Sequence, residues 1–320
     1  MTRERYADVG RGIRLCFETI GFETFGGEDN PPLVLVAGLG QQLISWPTAF
    51  CELIADAGFR VIRFDNRDAG RSTHVVARPP SMASVLLGRV RSAYELGDLA
   101  RDAVGLLDAL GIGTAHFAGA SMGGMIAQTV AAHFPDRVRS LTSMMSTTGA
   151  RRIGRPALST WARMAARPPR TREEAAAAEV ALFRHIGSHG FPFDAEAVAA
   201  AGGAAWDRDR STEGAARQLG AIVASGDRTR ELAGVRAPAL VIHGDRDRMV
   251  HPSGGLATHR AIAGSRLLTV TGLGHDYPAA AWPTLVEAIT AHARLADVAR
   301  QARENHAQPT TTPRRRTHAG

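Results

Sequence analysis

Apolar residues follow two alternating patterns along the chain. Short continuous apolar runs, typical of strands buried on both faces, alternate with segments whose apolar residues recur every three or four positions, as in amphipathic helices. The predicted strands lie at 33–36, 60–65, 114–119, 137–145, 239–243 and 266–270, and 33–36 is a continuous apolar run. The clearest helical period spans 94–110. This alternation predicts an α/β fold with a mostly parallel central sheet flanked by helices.

The pattern changes at three places. Residues 11–25 alternate apolar and polar positions, which predicts two short antiparallel strands at a sheet edge. Residues 150–235 contain only helical signals, including a capping box from Thr171 to Glu174. Residues 279–295 predict a closing helix, and 301–320 have no apolar period.

These changes predict three parts of the chain. Residues 1–149 and 236–300 form the α/β core, 150–235 form a helical lid between the sixth and seventh strands, and 301–320 form a disordered basic tail. Candidate substrate contacts are Trp161 and Phe193 in the lid and Trp46 in the core. Most other apolar side chains of the lid are expected to form its own core. Those that could instead line a pocket are Met164, Phe183, Phe191 and Trp206.

Composition narrows the possible partners. The chain has 320 residues, 44% of them hydrophobic, and a formal charge of +7. Four arginines against Glu304 in the last twenty residues account for +3 of that charge, and no lysine occurs anywhere. The net positive charge therefore reflects a bias toward arginine in the composition, and no nucleic-acid partner is expected.

The cysteines and the apolar runs indicate a cytoplasmic protein. Cys16 and Cys51 match neither a metal-ligand spacing nor C-x-x-C, so the default is a reduced intracellular chain. The first ten residues lack the apolar segment of a signal peptide. No run approaches the ~18 apolar residues of a membrane helix, so no membrane span is expected.

The stretch from Thr114 to Gln128 carries the main chemical signal. An apolar run ends in Gly119-Ala120-Ser121-Met122-Gly123, and a helical period starts at once. A strand, a sharp turn and a helix in that order lift a nucleophilic serine clear of the sheet. Ser121 is the candidate nucleophile, and the backbone N–H of Met122 is a candidate oxyanion donor.

A serine nucleophile of this kind needs an acid and then a histidine downstream, each after a strand. His275 meets the condition for the base, because it follows the last strand within a glycine-rich loop. Asp245 and Asp247 both follow the strand that ends at His243. A short carboxylate directly after the strand, such as Asp245, commonly closes the turn, so Asp247 is the preferred acid. Asp276 is too close in sequence to His275 to orient the same ring, and it is expected to bracket the loop.

The apolar run at 33–36 leads into Ala37-Gly38-Leu39-Gly40. Glycines after a buried strand let the backbone approach a ligand, so the Leu39 N–H is the natural second oxyanion donor. The alternative is an ordinary glycine turn.

Together, GASMGG, the turn from Gly244 to Asp247, GLGHD and the helical insertion resemble the α/β-hydrolase superfamily over about residues 12–295. Residues 45–73 resemble more narrowly the esterases related to aclacinomycin methylesterase. The resemblance implies a catalytic triad of Ser121, Asp247 and His275. Where the superfamily commonly has His-Gly, this chain has Ala37-Gly38. Because the oxyanion donor is a backbone N–H, Leu39 can still serve.

The expected activity is hydrolysis of a small, fairly apolar carboxylic ester through an acyl-enzyme, which requires no metal and no cofactor. Dehalogenases and epoxide hydrolases of this fold use a carboxylate nucleophile. Because position 121 is serine, these activities are disfavoured. Carbon–carbon hydrolases and cofactor-free perhydrolases share the triad and remain open. A non-catalytic small-molecule receptor on the same fold is the alternative from another class.

Overall fold

A computed structural model describes residues 3–21, 29–164 and 167–307. Its eight strands are β1 Arg5–Asp8, β2 Arg14–Ile20, β3 Pro32–Val36, β4 Arg60–Phe64, β5 Ala115–Ala120, β6 Val138–Met144, β7 Ala239–Gly244 and β8 Arg266–Val270. They form one sheet in the order β1-β2-β4-β3-β5-β6-β7-β8. The pairings of β1 with β2 and of β2 with β4 are antiparallel, and the others are parallel. The predicted fold class is confirmed.

Helices pack on both faces of this sheet, and further helices lie in the segment between β6 and β7. They are α1 Thr48–Asp56, α2 Met82–Leu86, α3 Leu96–Ala109, α4 Met122–His133, α5 Leu158–Met164, α6 Arg172–Ile186, α7 Ala195–Arg208, α8 Glu213–Ser225, α9 Thr229–Leu232, α10 Ser253–Ala261 and α11 Trp282–Ala307. Short 3₁₀ turns occupy Leu43–Ser45, Pro135–Arg137 and Ala279–Ala281.

Strand β3 shows why the core has two halves. All five of its residues are buried. Val34 and Val36 pack into a cluster that includes side chains of α3 and α4, whereas Leu33 and Leu35 pack into a second cluster that includes side chains of α1 and α11. Because successive side chains of a strand point to opposite faces, a continuous apolar run contributes to both clusters.

The amino-terminal hairpin lies nearer the start of the chain than the alternation at 11–25 suggested. Strand β1 begins at Arg5, and β2 ends at Ile20. β1 is a four-residue edge strand with one buried residue, Ala7, so it has little apolar pattern to detect. Residues 22–28 lie outside the described ranges.

Between β6 and β7 the described residues hold five helices, α5 to α9, and no strand. Thr171 caps α6 by accepting the Glu174 N–H at 3.2 Å. We refer to residues 150–235 as the helical segment. At the other end, α11 runs to Ala307, past the predicted end at Leu295, and residues 301–307 are helical. The rest of the predicted tail, 308–320, lies outside the described ranges.

Candidate active site

Ser121 lies between β5 and α4 in a strained backbone conformation. Its φ of 56° and ψ of −119° fall outside the regions that a residue with a side chain normally adopts. Such a conformation costs about 1–3 kcal/mol and persists only where neighbours enforce it. The Ser121 N–H donates to the Met144 carbonyl at 2.9 Å, and the Ser146 hydroxyl donates to the Ser121 carbonyl at 2.8 Å. Strand β6 and the loop after it therefore hold the turn.

The glycines around Ser121 allow neighbouring segments of the chain to pack closely against one another. A Cβ atom on Gly119 would lie 2.1 Å from the Gly123 carbonyl oxygen, and one on Gly123 would lie 2.0 Å from the Val36 carbonyl oxygen. One on Gly124 would lie 2.6 Å from the Ser146 Cβ. No side chain fits at these distances, so the motif brings β3, β5 and α4 into backbone contact beneath the serine.

Two backbone N–H groups near Ser121, those of Leu39 and Met122, are candidate oxyanion donors. Met122 is the first residue of α4, where the N–H groups have no partner within the helix and the helix dipole is positive. The loop after β3 approaches from the other side, because a Cβ on Gly38 would lie 3.4 Å from the Ser121 Cβ. Within the described ranges the N–H of Leu39, the next residue, has no hydrogen-bond acceptor. The geometry suits an oxyanion hole formed by Leu39 and Met122.

The same loop is fixed by side chains that sequence reasoning assigned to no role in the site. The Asn66 side-chain amide donates to the Ala37 carbonyl at 3.1 Å, and Gln41 Oε1 accepts the Gly38 N–H at 3.1 Å. Asn66 belongs to the loop after β4. It is buried, and it helps to hold the candidate oxyanion loop in place.

His275 and Asp247 form a hydrogen-bonded pair. The His275 Nδ1 lies 2.7 Å from Asp247 Oδ2. The other carboxylate oxygen, Oδ1, accepts the backbone N–H groups of Met249 and Val250, both at 2.8 Å. Asp247 is fully buried, whereas the His275 side chain keeps 10% of its surface exposed. A buried, fixed carboxylate on Nδ1 leaves Nε2 as the free nitrogen of the ring.

The environment of Asp247 keeps its carboxylate ionised. Burial by itself would raise its pKa, but the charge of protonated His275 and hydrogen bonds from His243 and His275 outweigh burial. They lower the pKa from 3.8 to about 2. His243, the last residue before Gly244, lies behind this carboxylate with Nε2 3.5 Å from Oδ2. Its buried Nδ1 has no partner among the described residues.

Asp245 does not contact His275. Its Oδ1 accepts the Gly272 N–H at 2.7 Å, which joins the end of β7 to the loop after β8. The sequence predicted that Asp245 closes its own turn, but the structure gives that task to Asp247 and uses Asp245 to anchor the loop that carries His275. Of the two carboxylates, the structure brings Asp247 to the histidine.

The loop after β8 crosses the carboxyl edge of the sheet. Two residues beyond His275, the Tyr277 ring stacks on Trp46 with centroids 4.8 Å apart, and its hydroxyl donates to the Ser45 carbonyl at 2.6 Å. Ser45 and Trp46 follow β3, whereas Asp247 follows β7. The loop therefore contacts both the segment after β3 and the segment after β7, and β5, which precedes Ser121, lies between these strands in the sheet.

The structure places Trp46 differently from the sequence prediction. Trp46 has no exposed surface and packs in the core between Phe50 and Tyr277. This is not the position of a substrate contact. Instead, Trp46 supports the loop of His275 from below.

A cavity of about 500 Å³ opens between the loop after β3 and the helical segment. Gly40 and Gln42 line it from the β3 side, and Leu182 and Trp206 from α6 and α7. Of the predicted contacts, neither Trp161 nor Phe193 lines this cavity. Phe193 instead packs under the Arg184 guanidinium, 5.3 Å from its ring centroid. The Met164 side chain is not among those that the structure describes.

Buried ion pairs fasten the helical segment to the loop after β4. Arg208 of α7 donates to Asp65 at 2.8 Å, and Arg217 of α8 donates to Asp68 at 2.8 Å. Both carboxylates are fully buried. Removing one partner of such a pair leaves an uncompensated buried charge, which costs about 3–5 kcal/mol. Sequence reasoning missed these pairs, because the partners lie 143 and 149 residues apart.

The described ranges contain no cluster of three or more histidine, cysteine, aspartate or glutamate side chains that could hold a metal ion. None of the helices described is both long enough and apolar enough to cross a membrane.

Comparison with known proteins agrees with this architecture. Residues 31–277 match the family model described as the alpha/beta hydrolase fold. The chain is 30% identical over 306 residues to rhodomycin D methylesterase DnrP of Streptomyces peucetius, covering 88% of this chain and 96% of that protein. It is 34% identical over 118 residues to 3-oxoadipate enol-lactonase 2 of Acinetobacter baylyi, covering 37% and 38% of the two chains.

Among solved structures, the enol-lactonase of Burkholderia xenovorans LB400 superposes with a TM-score of 0.69 at 25% identity, covering 90% of this chain and 99% of that one. The predicted resemblance to the α/β-hydrolase superfamily, and to its methylesterase group, is confirmed. The chain belongs to the alpha/beta hydrolase family.

Proposed function

We propose that this protein is a serine hydrolase that cleaves a carboxylic ester of a small, fairly apolar substrate through an acyl-enzyme. One observation carries the proposal: a serine in a strained turn at a helix amino terminus shares the carboxyl edge of the sheet with a histidine bonded to a buried carboxylate. The named activities of two relatives, a methylesterase and an enol-lactonase, support ester hydrolysis as the reaction class.

In the proposed mechanism, Nε2 of His275 takes the proton of the Ser121 hydroxyl as Oγ attacks the ester carbonyl carbon. Asp247 stabilises the imidazolium that forms. The N–H groups of Leu39 and Met122 bind the oxyanion. Collapse of the tetrahedral intermediate expels the alcohol, which takes the proton from His275. Water, activated by the same histidine, then releases the acid and restores Ser121.

The helical segment acts as a lid in this proposal. Its helices α6 and α7 contribute Leu182 and Trp206 to the 500 Å³ cavity, and Gly40, next to Leu39, lines the opposite side. Ligand cavities of about 300–1,000 Å³ hold small molecules, so the size suits one small substrate. Gly40, which follows the proposed oxyanion donor Leu39, lines the cavity, whereas Ser121 and His275 do not.

A screen of p-nitrophenyl esters of increasing acyl length, with wild type and Ser121→Ala, tests the reaction class. Wild type should hydrolyse short and medium esters, and Ser121→Ala should lose this activity while keeping its melting temperature. Vinylogous diketones, and peroxide with acetate, serve as comparison substrates for carbon–carbon and perhydrolase chemistry. Faster turnover of either would replace ester hydrolysis as the activity. Absence of turnover on all three, with tight binding of a small molecule, would favour a receptor.

A further inference from the structure

Residues 186–190 of the helical segment lie directly against the loop that carries His275. The Ile186 carbonyl accepts the backbone N–H of His275 at 2.8 Å, and the Gly190 N–H donates to the Gly272 carbonyl at 2.9 Å. These two backbone bonds lie on either side of Ser188. Residues 186–190 therefore run along the loop as an added backbone strip, although they are more than eighty residues away in sequence.

Two glycine pairs show how closely the strip and the loop approach each other. A Cβ on Gly274 would lie 2.3 Å from the Gly187 carbonyl carbon, and a Cβ on Gly190 would lie 2.5 Å from the Gly272 Cα. Real Cβ atoms do not make such contacts, so only glycine fits at these positions. A shift of the strip toward the loop would have to displace the residues that flank His275.

The Ser188 side chain joins the residues before and after His275. Its hydroxyl oxygen accepts the Gly274 N–H at 2.9 Å, and the same hydroxyl donates to the Asp276 carboxylate. Ser188 is 7% exposed. Burial raises the pKa of Asp276, and hydrogen bonds from the Ser188 hydroxyl and backbone N–H offset part of that increase. Asp276 therefore brackets the loop, as the sequence suggested, through a partner that the sequence did not reveal.

We infer that Ser188 is a positioning residue for His275: its hydroxyl bridges Gly274 and Asp276 and so sets the backbone angle from which the imidazole reaches Ser121. The inference rests on the proposed function, in which His275 is the base. It assigns part of the lid to the chemical step, whereas a lid that only shapes the pocket would affect substrate preference alone.

The test compares single and double variants of the bridge. Ser188→Ala and Asp276→Ala should each lower kcat about 10-fold and change KM less than twofold, because small displacements of a catalytic group reduce turnover and leave substrate binding intact. The double variant should lose about 10-fold and not about 100-fold, because both changes break one bridge. Ser188→Thr, which keeps the hydroxyl, should restore most of the turnover.

A small fluorophosphonate provides a second readout, because it reacts with Ser121 without filling the cavity. Its rate of labelling should fall about 10-fold in Ser188→Ala. The matched control is Ser140→Ala, which removes another buried serine hydroxyl, bonded to His116 at 2.8 Å, far from this loop. This control should be destabilised to a similar degree in thermal unfolding and should keep wild-type kcat and labelling rate.

The possible outcomes separate the inference from the proposed function. A wild type that neither hydrolyses esters nor is labelled removes both. A labelled, active wild type whose Ser188→Ala variant keeps full kcat overturns the positioning role alone, and so does an additive double variant. A purely structural role for Ser188 would lower the melting temperature of Ser188→Ala and leave kcat of the folded protein unchanged.

Discussion

Each end of the parallel strands holds a serine, and a histidine that is hydrogen-bonded to an aspartate. At the carboxyl edge they are Ser121, His275 and Asp247. Near the amino ends of β5 and β6, His116 Nδ1 lies 2.8 Å from the Ser140 hydroxyl, and its Nε2 lies 3.2 Å from Asp297 Oδ2.

The two clusters differ in backbone and access. Ser140 lies within β6, is 1% exposed, and already uses its hydroxyl on His116. Ser121 has a positive φ, precedes a helix amino terminus, and is half-buried. A serine near a histidine that is bonded to an aspartate is therefore not enough for a catalytic site. A strained turn, a candidate oxyanion loop and partial exposure of the serine distinguish the carboxyl-edge cluster.

The largest contrast is expected between the two serines. Ser121→Ala should lower ester turnover by about 10⁴-fold or more, because it removes the nucleophile. Ser140→Ala should stay within about twofold of wild type and lose ~1 kcal/mol of stability with its hydrogen bond. Steady-state kinetics and denaturant unfolding of both variants check this. A comparable loss of turnover in Ser140→Ala would erase the distinction between the clusters.

The aspartates should differ next. Asp247→Asn should lower turnover by about 10⁴-fold in a folded protein, because the amide favours the wrong tautomer of His275. Asp297→Asn should keep activity. Asp245→Asn should cost ~1 kcal/mol of stability through a weaker bond to the Gly272 N–H, with modest loss of turnover. An active Asp247→Asn beside a folded but inactive Asp245→Asn would reverse the assignment of the acid.

Acid stability should also separate the clusters. The pKa of Asp247 is about 2 in the folded chain against 3.8 ordinarily. Because the folded value is the lower one, its contribution is complete above about pH 4 and is lost as the pH falls through about 2.

The stability advantage of wild type over Asp247→Asn should therefore shrink by about 2 kcal/mol between pH 5 and pH 2, as measured by urea unfolding. The pKa of Asp297 is also lowered, since bonding and charge from His116 and the charge of Arg139 outweigh burial. Its side chain is 28% exposed, so Asp297→Asn should show a smaller change. An equal or larger change for Asp297→Asn would mean that Asp247 is not the more strongly held carboxylate.

The smallest effect concerns the cavity. Trp206→Ala removes part of the cavity wall and so enlarges the cavity. It should shift the chain-length preference toward longer acyl groups by about 10-fold in relative kcat/KM. Phe193→Ala, a matched aromatic change outside that wall, should leave the preference unchanged. The ester series measures both. A shift in Phe193→Ala alone would return the substrate contact to the position that the sequence suggested.

The sequence predicted those parts of the molecule that have a local signal. Buried parallel strands need apolar side chains on both faces, so β3 and β7 appear as continuous runs, and close packing at the serine turn requires glycines at fixed offsets. β1 escaped prediction because an exposed edge strand needs no apolar pattern.

Long-range hydrogen bonds could not be predicted. Nothing near Ser188 in sequence indicates that its hydroxyl meets Gly274 and Asp276, and nothing near Arg208 indicates Asp65. The role of Trp46 could not be predicted either, because an aromatic residue after a strand can line a pocket or support a loop. The stacking of Tyr277 on Trp46 in the folded chain shows that Trp46 supports the loop.

Activation of the proposed nucleophile Ser121 by His275 can be tested by peptide mapping with mass spectrometry after treatment with a fluorophosphonate. We expect one adduct per chain, on Ser121, lost in a folded His275→Ala variant and unchanged in Ser140→Ala. An adduct on another serine, no adduct in the folded wild type, or undiminished labelling of His275→Ala would contradict it.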